Sequence, residues 1–143
     1  MIRVKKVVAY ITRGAELLVF EHRDYPDAGI QVPAGTVEDN EDLERAAIRE
    51  AEEESGLTDL QMVRYFGSQD FEDPDAGHIR ERHYFHFTTQ NPREIWLHWE
   101  RNASGTTEHF AFDFRWMSFT AARQVLHPEF SAKLDDIGER NII

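Results

Sequence analysis

Arg49, Glu50, Glu53 and Glu54 stand close together in the chain and could do chemistry as a group. The stretch from Asp42 to Ser55 places Leu43, Ala46, Ala47, Ala51 and Glu54 at helical spacing with no glycine or proline inside, which predicts an α-helix. On that helix Glu50 shares a face with Glu53 and Glu54, and Arg49 lies one turn before Glu53. Three carboxylates held so close repel one another, so a helix that keeps them calls for a compensating cation. Hard divalent ions take carboxylate oxygens, which points to Mg²⁺ or Mn²⁺, and a chain without cysteine disfavours a structural zinc site. Because Mg²⁺ keeps waters and shares substrate phosphates, the cluster also points to phosphate chemistry. The ordinary alternative for a charged helical run is a solvated amphipathic face.

The pattern extends beyond the helix. From Gly35 to Leu57 the chain carries Gly35, Glu41, Arg49, Glu50, Glu53, Glu54 and Gly56, closed by Leu57. These residues fill every fixed position of the Nudix box, and over this segment the chain resembles that family. Ala51 stands where the family usually has a bulkier aliphatic residue, and Ala34 stands where many relatives carry glycine. The resemblance implies a Nudix-type α/β/α sandwich, a mixed β-sheet flanked by helices. It also implies metal-dependent hydrolysis of a diphosphate linkage in a nucleotide or nucleoside-diphosphate derivative, by water attack on phosphorus.

Carried over by position, the resemblance makes Glu53 and Glu54 metal ligands, Glu50 a ligand or the base for the attacking water, and Ala34 a ligand through its carbonyl. Arg49 would orient the carboxylates and Glu41 would brace Arg49, with Gly35 and Gly56 as structural support. Relatives often add an acid from a later loop, for which Glu94, Glu100 and Glu108 are unranked candidates. Two other readings are a non-catalytic nucleotide-sensing module and an RNA 5′-end pyrophosphohydrolase. The intact Arg49, Glu50, Glu53 and Glu54 set weighs against the first, and the acidic charge of the chain against the second.

The elements that must position these residues are legible from local pattern. Val4 to Thr12 and Glu16 to Glu21 read as strands joined by a turn at Arg13-Gly14, and Ile30 to Val32 reads as a short strand ended by Pro33 and Gly35. Further strands are expected over Leu60–Ser68, His83–Thr89, Glu94–Glu100 and Phe110–Trp116. Gln69 to Arg82 reads as a long polar loop. Helices are expected over Ala121–Leu126 and Lys133–Gly138, with Pro128 suited to a first helical turn. Strands interleaved with a few helices give an α/β or α+β domain with a mixed sheet.

Outside the box the signals are weaker. His83 and His86 sit three apart in a strand and so face opposite ways, which argues against a metal pair. Trp96, His98 and Glu100 share a strand face, where Trp96 could stack on a base or simply pack in the sheet. Arg80 and Arg82 could hold a distal phosphate or be plain solvated charges.

At 143 residues the chain is expected to form a single domain. Its formal charge of −11 disfavours a protein that grips nucleic acid by charge, and a small nucleotide derivative is the expected partner. From Gly35 to Leu57 nine acids face two bases, so −7 of that charge sits in the box. No stretch resembles a signal peptide or a membrane span, so a cytoplasmic location is expected. The long first strand and aromatic-rich later half would suit a homodimer.

Overall fold

The run Val7 to Ile11 lacks the alternation of a strand with one wet face, and all five residues are fully buried. Such a strand needs a layer on each side. The computed structural model, which describes residues 1–101 and 109–140, supplies both layers around it. In chain order the elements are β1 (Ile2–Arg13), β2 (Glu16–His22), a 3₁₀ turn (Pro26–Ala28), β3 (Ile30–Gln31), β4 (Ala34–Thr36) and α1 (Leu43–Ser55). They continue with β5 (Gln61–Asp73), β6 (His78–Thr88), β7 (Ile95–Arg101), β8 (His109–Ser118), α2 (Phe119–Val125), α3 (Pro128–Ser131) and α4 (Leu134–Arg140).

The sheet runs β5-β6-β1-β2-β8-β7, with β3 added to β2 and β4 added to β1. β1 and β6 are parallel, and the other pairs are antiparallel, so the sheet is mixed. On one face Val7, Ala9 and Ile11 pack with Ala46, Ala47 and Ala51 of α1 and with Phe85, Phe87, Phe112 and Phe114. On the other face Val8, Tyr10, Leu17 and Val19 pack with Tyr84, Ala122 of α2, and Leu134 and Ile137 of α4. This is the expected α/β/α sandwich. The small Ala51 is fully buried, in a cluster that also holds Phe85, Phe87, Phe112 and Phe114. Among the described residues no helix is long and apolar enough to cross a membrane.

Two segments depart from the sequence reading. Gln69 to Arg82 is not a long loop: it is the far end of the β5–β6 hairpin, with only a short turn between Asp73 and His78. There Gly77 adopts φ +73° and its amide donates to the Pro74 carbonyl. The strands look polar because they run past the apolar core and pair by charge, Arg3 with Asp70 and Glu81, and Arg80 with Asp73. Ala34 to Thr36, read as a strand terminus, is itself a strand on β1, and the Pro33 carbonyl accepts from the Ala9 amide.

His83 and His86 do face opposite ways. His83 Nδ1 meets the Tyr65 hydroxyl at 2.7 Å and its Nε2 meets Glu81 Oε2 at 2.6 Å. His86 is fully buried, with Nε2 2.7 Å from Thr12 Oγ1, and burial pushes its pKa down to about 4. Its folded-state pKa thus lies below the unfolded value of about 6.5, so its stabilising contribution is complete above that pH and is lost as pH falls toward 4. Between pH 7.5 and 4.5 the wild-type chain should lose about 2–3 kcal/mol through this residue. Urea midpoints of wild type and His86→Gln across that range test it, since the variant should lack that part of the slope.

Candidate active site

α1 ends where Gly56 takes a left-handed conformation, φ +77°, and its amide caps the Glu52 carbonyl. Gly35 of β4 faces the middle of this helix. A Cβ on Gly35 would lie 2.1 Å from Glu50 Cδ and 2.3 Å from Oε1, so the Glu50 carboxylate occupies the space a side chain would fill. One step back along β4, the Ala34 amide donates to Glu54 Oε1 at 2.6 Å. The strand and the helix are thereby locked together through two carboxylates.

Arg49 organises the rest. Its Nε and Nη2 donate to the two oxygens of Glu41 at 2.8 and 3.0 Å, its Nη1 to Glu50 Oε1 at 2.8 Å and Glu53 Oε2 at 3.3 Å, and its Nη2 to the Thr36 carbonyl at 3.1 Å. This forked pairing holds Glu41 below the usual carboxylate range and pushes the Arg49 pKa up.

The fourth carboxylate arrives on β7. Trp96 Nε1 donates to the Ser55 carbonyl and His98 Nε2 to the Glu53 carbonyl, each at 2.8 Å. Carbonyls of the last helical turn have no partner inside the helix, so these two side chains both satisfy them and dock β7 on the end of α1. Glu100, two residues on and on the same face, then falls beside the helix. Oxygens of Glu50, Glu53 and Glu100 lie within 4.8 Å of one another.

Among the described residues these carboxylates are neutralised only in part. Burial, and then the charges of Glu50 and Glu53, raise Glu100 to about 7. Burial raises Glu50, and burial followed by the Glu100 charge raises Glu54 well above the usual range. Among the described residues Arg49 is the cation that pairs with the group, and it is shared with Glu38 and Glu41. An all-oxygen donor set with surplus negative charge fits a hard divalent ion.

Other candidate residues are placed elsewhere. Glu94 pairs with Arg13 at 3.1 Å and does not join the acidic group, and Glu108 lies outside the described residues. Arg80 and Arg82 point to the opposite face of the sheet, where both donate to the buried Glu129 of α3, Arg82 Nε at 2.6 Å. Trp96 stacks on Phe114 at 5.3 Å and packs against the first core. His98 was recognisable on the shared strand face, but its role as a helix-end donor was not. It also presses on Gly56, where a Cβ would meet its Nδ1 at 2.7 Å. Glu129 gave no sequence signal, because its partners are some fifty residues away.

Comparison with known proteins gives a consistent set of likenesses. A NUDIX domain model matches residues 2–136. The NAD-capped RNA hydrolase NudC of Pasteurella multocida is 36% identical over 73 residues, which cover 51% of this chain and 27% of that protein. The chain thus spans about a quarter of the length of the curated relatives it matches. A C. elegans Ap4A hydrolase, solved as a binary complex, superposes with a TM-score of 0.65 at 22% identity, covering 94% of this chain and 93% of that one. A MutT protein from Methanosarcina mazei Go1 superposes with a TM-score of 0.70 at 18% identity, covering 98% and 96%. At those identities the structural likeness shows the fold.

Proposed function

The chain belongs to the Nudix hydrolase family, and from that premise we propose that it cleaves a diphosphate linkage in a nucleotide or nucleoside-diphosphate derivative. The observation that carries this reading is the convergence of Glu50, Glu53 and Glu100 beside the buried Glu54. In this proposal Glu50, Glu53, Glu54 and Glu100, with the Ala34 carbonyl, hold Mg²⁺ or Mn²⁺. When bound, the ion would neutralise the diphosphate and acidify water. Arg49 fixes the carboxylates of Glu50 and Glu53 in place, so little reorganisation is needed as charge develops on the reacting phosphate. The Glu50 carboxylate, seated in the Gly35 gap, is positioned either as a ligand or to take the proton of the attacking water at an oxygen.

The NudC relatives are named for NAD-capped RNA, which itself contains a dinucleotide diphosphate, so that substrate belongs in the test despite the acidic charge of this chain. Phosphate, pyrophosphate and nucleotide release should be followed with nucleoside triphosphates, ADP-ribose, NAD, dinucleoside polyphosphates, nucleotide sugars and NAD-capped RNA. The expected result is turnover of at least one small nucleotide derivative that depends on Mg²⁺ or Mn²⁺ and stops with EDTA. Absence of metal-dependent turnover across the whole panel would overturn the reading.

A further inference from the structure

The acidic group has two walls. Glu50 and Glu54 of α1 stand against Gly35 and Ala34 of β4, and Glu100 arrives on β7. In the sheet, β2 and β8 separate β1 and its appended β4 from β7. Directly paired residues of antiparallel strands share a face. Register pairs Glu100 with Phe110, His98 with Phe112, and Phe112 with His22, so these side chains lie on the α1 side of the sheet between the two walls. Their rings form one cluster. His22 lies 5.1 Å from Phe110, 5.2 Å from Phe112 and 4.6 Å from Tyr25, edge-on to each. The turn after β2 brings Tyr25 there, its amide donating to the His22 carbonyl at 3.2 Å.

Two features set this cluster apart from the cap of a core. Phe112 is buried, but His22 and Phe110 are only partly so and Tyr25 is 58% exposed, so the aromatic surface continues outward to solvent. In addition, His22 Nδ1 is buried with no hydrogen-bond partner among the described residues. His86 Nδ1 shares that lack, but in a ring sealed from solvent. A buried polar atom without a partner is unfavourable, and at the rim of an open site a ligand can supply one. Aromatic surface beside a lone ring nitrogen suits a flat, conjugated ring with polar groups on its edge. In a nucleotide such a ring is one ribose away from its first phosphate, and Phe110 is the direct cross-strand neighbour of Glu100. We propose that Tyr25, Phe110 and His22 form the subsite for the ring of the substrate nucleotide, a nucleobase or a nicotinamide stacked on Tyr25 and Phe110 and held at its edge by His22 Nδ1. The substrate class this selects is a nucleotide derivative whose ring-bearing half adjoins the bond that is cut. The proposal rests on the hydrolase reading above for that bond but not for the binding of a ring.

Monophosphates carry a ring and no diphosphate to cut, so they report the subsite without turnover. The full chain in Mg²⁺ is titrated calorimetrically with AMP, GMP, CMP, UMP and nicotinamide mononucleotide, and with ribose 5-phosphate as the ringless control. At least one ring-bearing ligand should bind about tenfold more tightly than ribose 5-phosphate, the scale of one base stacked on an aromatic side chain. The nucleobase and nicotinamide arms show which ring the site takes. Tyr25→Ala should remove that advantage without changing ribose 5-phosphate binding, and Tyr25→Phe should keep it. His22→Phe retains an aromatic ring without the nitrogen and should flatten the preference among rings. In turnover, Tyr25→Ala should raise KM about tenfold while kcat changes less than about threefold. No ring-bearing ligand binding better than ribose 5-phosphate would overturn the subsite, as would an undiminished advantage in Tyr25→Ala. An unchanged ring preference in folded His22→Phe would remove His22 Nδ1 from it. Metal-dependent turnover with no ring advantage would leave the hydrolase reading standing without the subsite, and Tyr25-dependent ring binding in a chain that turns over nothing would do the reverse.

Discussion

Gly35→Ala should lower kcat/KM by about a hundredfold while leaving the melting temperature within a few degrees of wild type. The added methyl would meet the end of the Glu50 side chain at 2.1 Å, and that end is flexible. It can swing away, so the fold survives. What it cannot do is keep its place between Arg49 and β4, where Nη1 of Arg49 now holds it at 2.8 Å. A displacement of about 1 Å in a group next to the chemistry is enough to cost roughly two orders of magnitude in rate. Moving Glu50 outward also relaxes its repulsion with Glu53 and Glu100, which offsets part of any packing loss. Steady-state kinetics alongside thermal melts test the pair of expectations. Wild-type kcat/KM in a folded Gly35→Ala protein would remove Glu50 from the reacting group.

That glycine also marks how far local pattern carries the reading. α1 was legible almost to the residue, because a 3.6-residue period without glycine or proline leaves a helix few alternatives. The box glycine was visible as a position, yet its reason, a carboxylate standing where a side chain would be, exists only once β4 and α1 are packed. The β5–β6 hairpin misled for the opposite reason. Residues such as Asp70, Glu72, Arg80 and Arg82 alternate correctly for strands, but beyond the core both faces are charged, and the contrast that reveals a strand disappears.

The acid outside the box shows the same division. Alternation placed Trp96, His98 and Glu100 on one face, and that face does meet the helix. Nothing local could rank Glu100 above Glu94, since the choice depends on two side chains of β7 binding carbonyls more than forty residues away. Arg80 and Arg82 were attractive as phosphate ligands for their type alone, and Glu129 takes them.

Glu53→Gln should reduce kcat by about a thousandfold or more, the scale of roughly 4 kcal/mol of lost transition-state stabilisation. The amide has the same shape and its carbonyl can still accept from Arg49, so the helix and its packing should persist. In the absence of divalent ions the variant should be at least as stable as wild type, because one of several mutually repelling charges has gone. Glu100→Gln should behave in the same way without metal, and more strongly, since Glu100 is the more buried carboxylate and its charge opposes that of Glu54. Adding Mg²⁺ or Mn²⁺ reverses the order. An ion present at about a hundred times its Kd stabilises the folded chain by about 2.7 kcal/mol, which for a domain of this size is a rise of roughly 5–10 °C. Wild type should show that rise, and both variants should show little of it, so a differential melt with and without metal separates a ligand from a residue that merely packs nearby. Full metal-dependent turnover in Glu53→Gln would sink the assignment of the site. A wild-type metal shift in Glu100→Gln would take Glu100 out of the ligand set and leave the box carboxylates to hold the ion without help from β7.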